Sequence, residues 1–200
     1  MSESEMAMHG AYLEGSPYQI PSRKLTMWLF IISDAVTFGA FLMAYGFLRV
    51  GTPNWVRPFE SRSVVNVIIM TVVLITSSLT MLGAVDSSKA GDKAKAMRFL
   101  YSTMALGAIF ALLHLREWFA LFGRSITLSS GLFGETFFTI TGLHLLHVIS
   151  GVIALFVVAT KYSSGRLTPS YVETTGLYWH FVDLVWMFVV PLVYLTNIAR

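Results

Sequence analysis

Five ionisable side chains stand inside apolar stretches of this sequence, and each needs a chemical reason to be there: Asp34, His144, His147, His180 and Asp183. A charged group at the centre of a bilayer costs about 2.5–3.5 kcal/mol on insertion scales. Asp34 lies about nine residues, hence about 13 Å, into the first apolar stretch, with no Lys or Arg within a helical turn. It reads either as a carboxyl that handles protons or touches lipid, or as an acid hydrogen-bonded to a neighbouring helix. His144 and His147 are three residues apart on one helix face, close to a stripe that includes Thr141 and Gly151. Two histidines could start a metal site, but a complete one needs three or four ligands and supporting partners. Packing histidines with satisfied ring nitrogens are the preferred reading. His180 and Asp183 have the same spacing, between Trp179 and Trp186. A catalytic dyad there would need an activated nucleophile, which the segment does not offer. An internal brace, each partner satisfying the other, is the expectation.

Two further groups sit nearer helix ends. Glu135 opens the fourth apolar stretch, where a negative charge complements the helix dipole. His114, Arg116 and Glu117 flank Trp118 and read as an anchor in the interfacial aromatic belt.

The elements that must carry these residues follow from composition. The chain has 200 residues, 55% hydrophobic and only 12% charged, with mean hydropathy +0.67. Soluble domains carry about 25% charged residues. Five stretches meet the roughly 20 apolar residues that a helix needs to cross a bilayer. They run from about Met27 to Leu48, Val64 to Val85, Phe99 to Leu121, Leu132 to Thr160 and Gly176 to Ile198. The fold class is therefore all-α, a polytopic membrane bundle of five transmembrane helices. Residues 1–24 read as a polar N-terminal arm and residues 25–200 as the transmembrane domain. The first apolar block follows that polar leader and exceeds a typical signal-peptide core, so it is expected to stay as an anchor. In the last helix, Pro191 removes a backbone donor and predicts a kink.

Charge and cysteine content exclude several classes. The net charge of +3 comes from short basic runs between apolar blocks, which read as topology signals and not as nucleic-acid contacts. With no cysteine, the chain has no disulfide, thiolate zinc site, iron–sulfur ligand or covalent haem attachment. Eight Lys and Arg flank the helix ends on one side and six on the other. That margin predicts a cytoplasmic N-terminus and an external C-terminus. No internal repeat is visible, and five spans cannot divide into two inverted halves, which weakens a transporter reading of Asp34.

Four blocks, in order and at matching depths, resemble subunit III of the haem–copper terminal oxidases. Tyr178-Trp179-His180-Phe181-Val182-Asp183-Leu184-Val185-Trp186 is similar to that family's YWHFVDxVW block. Thr141-Gly142-Leu143-His144-Leu145-Leu146-His147-Val148 with Gly151 resembles TGFHGLHVxxG. Gly134-Glu135-Thr136-Phe137-Phe138 resembles GSTFF, and Leu29-Phe30-Ile31-Ile32-Ser33-Asp34 resembles LFIISE. The chain departs from the pattern at Glu135, where serine is usual, at Leu145, where glycine is usual, and at Asp34, where glutamate is common.

The resemblance implies a non-catalytic accessory subunit of a proton-pumping oxygen reductase in the bacterial inner membrane. No cofactor is expected on this chain, since haem and copper reside in partner subunit I. It implies stabilisation of subunit I, contact with subunit II, bound phospholipid and support for proton uptake. Asp34 falls where mitochondrial-type members have a carbodiimide-reactive glutamate. Lys161 falls where they have an arginine that resembles a lipid-phosphate contact, and a lysine there can snorkel to lipid phosphates. His144, His147, His180 and Asp183 then read as a structural polar network. The pattern matches the five-helix form that lacks the first two of seven helices, so a small subunit is a candidate to complete the lipid cleft. Cytochrome c oxidase is the leading assembly. A quinol oxidase comes second, and the small subunit associated with nitric-oxide reductases third. A free-standing membrane metalloenzyme built on His144 and His147 is the alternative from another class.

Overall fold

A computed structural model describes residues 22–199 of the chain. Five long helices run in alternating directions: α1 Ser22–Gly51, α2 Ser61–Lys89, α3 Lys93–Phe122, α4 Leu132–Ser163 and α5 Pro169–Val189. All five are long and apolar enough to cross a membrane. The expected number, order and type of elements are those observed. The helices extend past the apolar stretches at several ends. Thirty residues at 1.5 Å each reach about 45 Å, beyond a hydrocarbon core of about 30 Å. The helix ends are therefore longer than the crossing itself requires.

Local signals explain those ends. Asp92 caps α3 by accepting from the Lys95 backbone N–H at 2.9 Å, which moves the start six residues ahead of the apolar stretch. Pro169 occupies the first turn of α5, where its missing N–H has no intrahelical partner to lose. The three-residue turn between α2 and α3 closes through Gly91 at φ +79°, a conformation glycine adopts without penalty. Of the N-terminal arm, Ser22, Arg23 and Lys24 belong to the first turn of α1; residues 1–21 lie outside the described residues.

The expected effect of Pro191 takes a specific form. α5 passes into one π-helical turn, Val190–Tyr194, then a 3₁₀ turn, Leu195–Asn197. Widening the turn accommodates a ring that has no N–H to give to the preceding turn. The chain then pairs with the α1–α2 connection: Phe59 N–H donates to Asn197 O at 3.3 Å and Ala199 N–H to Phe59 O at 2.8 Å.

Burial ranks the helices. In its most apolar window α5 is 56% buried inside the bundle and α1 only 11%, so α5 is the central post and α1 an outer stave. Trp179 shows how the post is seated. Its indole is 1% exposed and donates to Ser77 Oγ on α2 at 3.0 Å. It fills a slot that exists because Gly107 on α3 and Gly151 on α4 have no side chains. A Cβ at Gly107 would lie 2.5 Å from the ring and one at Gly151 3.0 Å. Small residues that admit close approach are the usual currency of helix packing in lipid, where apolar burial between helices gains little.

Candidate functional site

Asp34 lies on the inner seam of α1, in register with the buried Ile31, Phe38 and Tyr45. That register aims its carboxylate at α4, where Oδ2 meets His147 Nε2 at 3.1 Å. Both side chains remain slightly exposed, 19% for Asp34 and 17% for His147. The other ring nitrogen, Nδ1, sits 2.8 Å from the Leu143 carbonyl oxygen one turn back. A carbonyl only accepts, so Nδ1 carries a hydrogen. The contact between Nε2 and Oδ2 then needs one proton of its own, held either as imidazolium facing carboxylate or as carboxylic acid facing neutral imidazole. Around the pair, Phe38 presents its ring to His147 at 5.2 Å centroid distance. Tyr178 from α5 donates to the His147 carbonyl at 3.2 Å and pairs with Ser150 at 2.8 Å. Three helices thus meet at one proton-sharing pair.

His144 does not join it. A three-residue step turns about 60° around a helix, and that angle sends the two histidines to different neighbours. His147 faces α1, whereas His144 points into the bundle and stacks on Trp186 at 5.2 Å and 23°. Among the described residues neither ring nitrogen of His144 has a hydrogen-bond partner, whereas both nitrogens of His147 do. Among the described residues, no group of three or more His, Cys, Asp or Glu is placed to hold a metal ion. These donors do not fit a haem or copper centre.

The same rotation separates His180 from Asp183. His180 Nδ1 bonds Ser78 Oγ on α2 at 2.6 Å, and Asp183, 9% exposed, has no hydrogen-bond partner on either oxygen among the described residues. The expected His180–Asp183 brace within α5 is therefore replaced by a bond between α5 and α2. His114 and Glu117 also depart from the sequence reading. Instead of facing outward, His114 is 0% and Glu117 5% exposed, and Glu117 Oε2 accepts from Asn66 on α2 at 3.0 Å. Their face of α3 looks inward; Arg116, on the adjoining face, is less buried. Lys161 is exposed in the last turn of α4. Glu135 is exposed in the first turn of α4, in keeping with a dipole and solvent role.

Two clusters escaped sequence reading. At the end where α1 begins, Glu173 of α5 bonds Lys24 of α1 at 3.1 Å and Lys89 of α2 at 3.3 Å. Arg23 lies over the Tyr171 ring, 3.4 Å from its centroid. At the opposite end Asn197, fully buried, accepts from Trp55 Nε1 at 2.9 Å and Arg49 Nε at 3.1 Å and bonds the Tyr45 hydroxyl. Glu173 shares that end with Asp86, Asp92 and several basic residues, so spacing alone did not single it out. Asn197 carried no sequence signal, because a lone asparagine near a terminus has no characteristic spacing.

Comparison with known proteins agrees with this architecture. The family profile described as "Cytochrome c oxidase subunit III" matches residues 5–197. The cytochrome c oxidase subunit 3 of Alkalihalophilus pseudofirmus is 30% identical over 94% of this chain and 91% of its own length. That of Corynebacterium diphtheriae is 32% identical over 78% of this chain and 80% of its own. A protein of Aeropyrum pernix named haem–copper oxidase subunit I+III is 31% identical over 92% of this chain, which spans 24% of that longer polypeptide. With five membrane-spanning helices and a profile match over nearly its whole length, the chain belongs to the cytochrome c oxidase subunit III family.

Proposed function

We propose that the chain is a non-catalytic companion of subunit I in a proton-pumping cytochrome c oxidase, where it stabilises that subunit, holds phospholipid and supports proton uptake. The single observation that carries the reading is the Asp34–His147 pair. It is a one-proton contact between an outer helix and the bundle, with both members reachable from the surface. Such a pair can pass its proton between imidazole and carboxyl without changing its net charge, which suits a relay that hands protons to a neighbour. Haem and copper belong to subunit I, and the fusion of subunits I and III in the Aeropyrum pernix protein supports that partnership. Subunit II completes the assembly, and phospholipid or a small subunit covers the open side of α1. Lys161 and the Lys24–Glu173–Lys89 cluster face the cytoplasm, where Lys161 meets lipid phosphate. The membrane is the bacterial inner membrane, with the N-terminal arm ahead of α1 on the cytoplasmic side.

The test is Asp34→Asn in the complete oxidase. Assembly and initial turnover should match wild type, and activity should decay faster during sustained turnover. Unchanged decay removes Asp34 from proton uptake. A tagged chain that purifies alone, without a haem-bearing partner, removes the subunit reading itself.

A further inference from the structure

Six of the eight buried polar side-chain atoms without a hydrogen-bond partner among the described residues belong to four neighbours: His114, Glu117, His144 and Tyr194. They come from α3, α4 and the π-helical turn that ends α5. Phe110 and Trp186 form a common wall. Each lies within 5.7 Å, centroid to centroid, of both His114 and His144. Trp186 is also 5.7 Å from Tyr194, and Glu117 stands one turn along α3 from His114. His114, His144 and Tyr194 are at most 2% exposed, and Glu117 is 5% exposed.

Leaving a buried donor or acceptor unsatisfied costs about 1–3 kcal/mol, and six in one place would be a heavy burden on a fold of ordinary stability. The donor inventory decides what satisfies them. Each neutral imidazole offers one donor and one acceptor, the Tyr194 hydroxyl offers both, and Glu117 Oε1 adds an oxygen whose partner Oε2 is held by Asn66 at 3.0 Å. A mixed set needs a ligand that both donates and accepts. An anion would meet the Glu117 carboxyl. A metal cation would need ligands that these residues do not present together.

We infer that Glu117, His114, His144 and Tyr194 enclose an internal water site in the bundle. A buried water makes about three hydrogen bonds, so six protein atoms call for on the order of two waters. The site joins the Asn66–Glu117 contact between α2 and α3 to α4 and α5. It lies one helical turn from His147, and it does not depend on the proton-uptake role of Asp34. It also explains why the bundle keeps His114 and His144 beside aromatic rings that could have closed the space with apolar side chains.

Two measurements on the full chain in its membrane assembly test this. A wild-type structure that resolves ordered water should show it within hydrogen-bond distance of His144 and Glu117. A dry, close-packed cluster overturns the inference, and so does a metal ion in that place. Solid-state magnetic resonance with isotope-labelled histidine should show magnetisation passing from water protons to the His114 and His144 imidazoles. His114→Gln and His144→Asn assign the signals by their individual loss. Absence of transfer to both wild-type rings refutes the site whether or not either variant folds.

Discussion

Gly107→Ala should destabilise the bundle although alanine is the better helix former, and the geometry sets the size of the effect. The added Cβ would sit 2.5 Å from Trp179 Cη2 and 2.9 Å from Val152 Cγ2. The indole cannot retreat. Its Nε1 is tied to Ser77, and its other edge packs over Gly151, where even an added Cβ would come within 3.0 Å. Overpacking of a tight core costs about 1–3 kcal/mol, and a rigid aromatic at 2.5 Å puts this site in the upper half, about 2–3 kcal/mol. Alanine's propensity gain of about 1 kcal/mol offsets part of that. Gly46→Ala is the matched control, since nothing lies within 4 Å of a Cβ there. The difference between the two variants cancels propensity and isolates the steric cost. Equilibrium unfolding of the purified chain in mixed micelles, followed by tryptophan fluorescence, measures it. Adding Trp179→Phe removes the struck atoms and should recover about 1 kcal/mol or more of coupling energy. If the two glycine variants differ by less than about 0.5 kcal/mol, the slot is not what seats α5.

Three other outcomes follow from the same contacts. Asn197→Ala strands the buried Tyr45 hydroxyl and frees Arg49 and Trp55; a loss of about 2–3 kcal/mol is expected, with faster proteolysis at the C-terminus, and resistance equal to wild type counts against the hub. Glu173→Gln removes ion pairs whose side chains are 30–52% exposed, so the change should stay within about 1 kcal/mol and shrink in high salt; a larger, salt-insensitive loss would contradict the reading. Ser78→Ala deprives the half-buried His180 ring of its partner at 2.6 Å and should cost about 1 kcal/mol in the same unfolding assay, whereas no change would show that His180 finds another partner.

Helix number, order and approximate spans were legible because the bilayer imposes a length that no turn signal disguises. Which residue meets which was less legible, and the histidines show why. Spacing placed His144 beside His147, and His180 beside Asp183, but an i, i+3 step leaves about 60° between side chains. In a bundle where every helix has two or three neighbours, that angle is enough to change partners. His147 went to Asp34 and His180 to Ser78, and neither partner is near in sequence. His114 and Glu117 were misplaced for a related reason. A tryptophan near a helix end suggests an interfacial belt, yet the Trp118 indole turns inward to Thr141 at 3.3 Å and takes its neighbours with it.

α1 is where packing and proton chemistry join. It is the least buried helix, and polar clasps hold it at three depths: Lys24 to Glu173, Asp34 to His147, and Tyr45 with Arg49 to Asn197. Between the clasps, Gly39 and Gly46 have nothing within reach of a side chain. Losing the Asp34 clasp should therefore loosen α1 as a whole, and a crude deletion would confuse loosening with loss of proton handling. The fixed hydrogen on Nδ1 resolves the two. With Nδ1 committed to Leu143, a neutral His147 presents Nε2 as an acceptor, and an asparagine amide can donate to it. Asp34→Asn thus keeps the clasp while removing the titratable carboxyl; Asp34→Leu removes both. If the leucine variant sheds α1 contacts and decays faster while the asparagine variant decays as wild type does, the clasp is the function. If the asparagine variant assembles as firmly as wild type and still decays faster, the shared proton is.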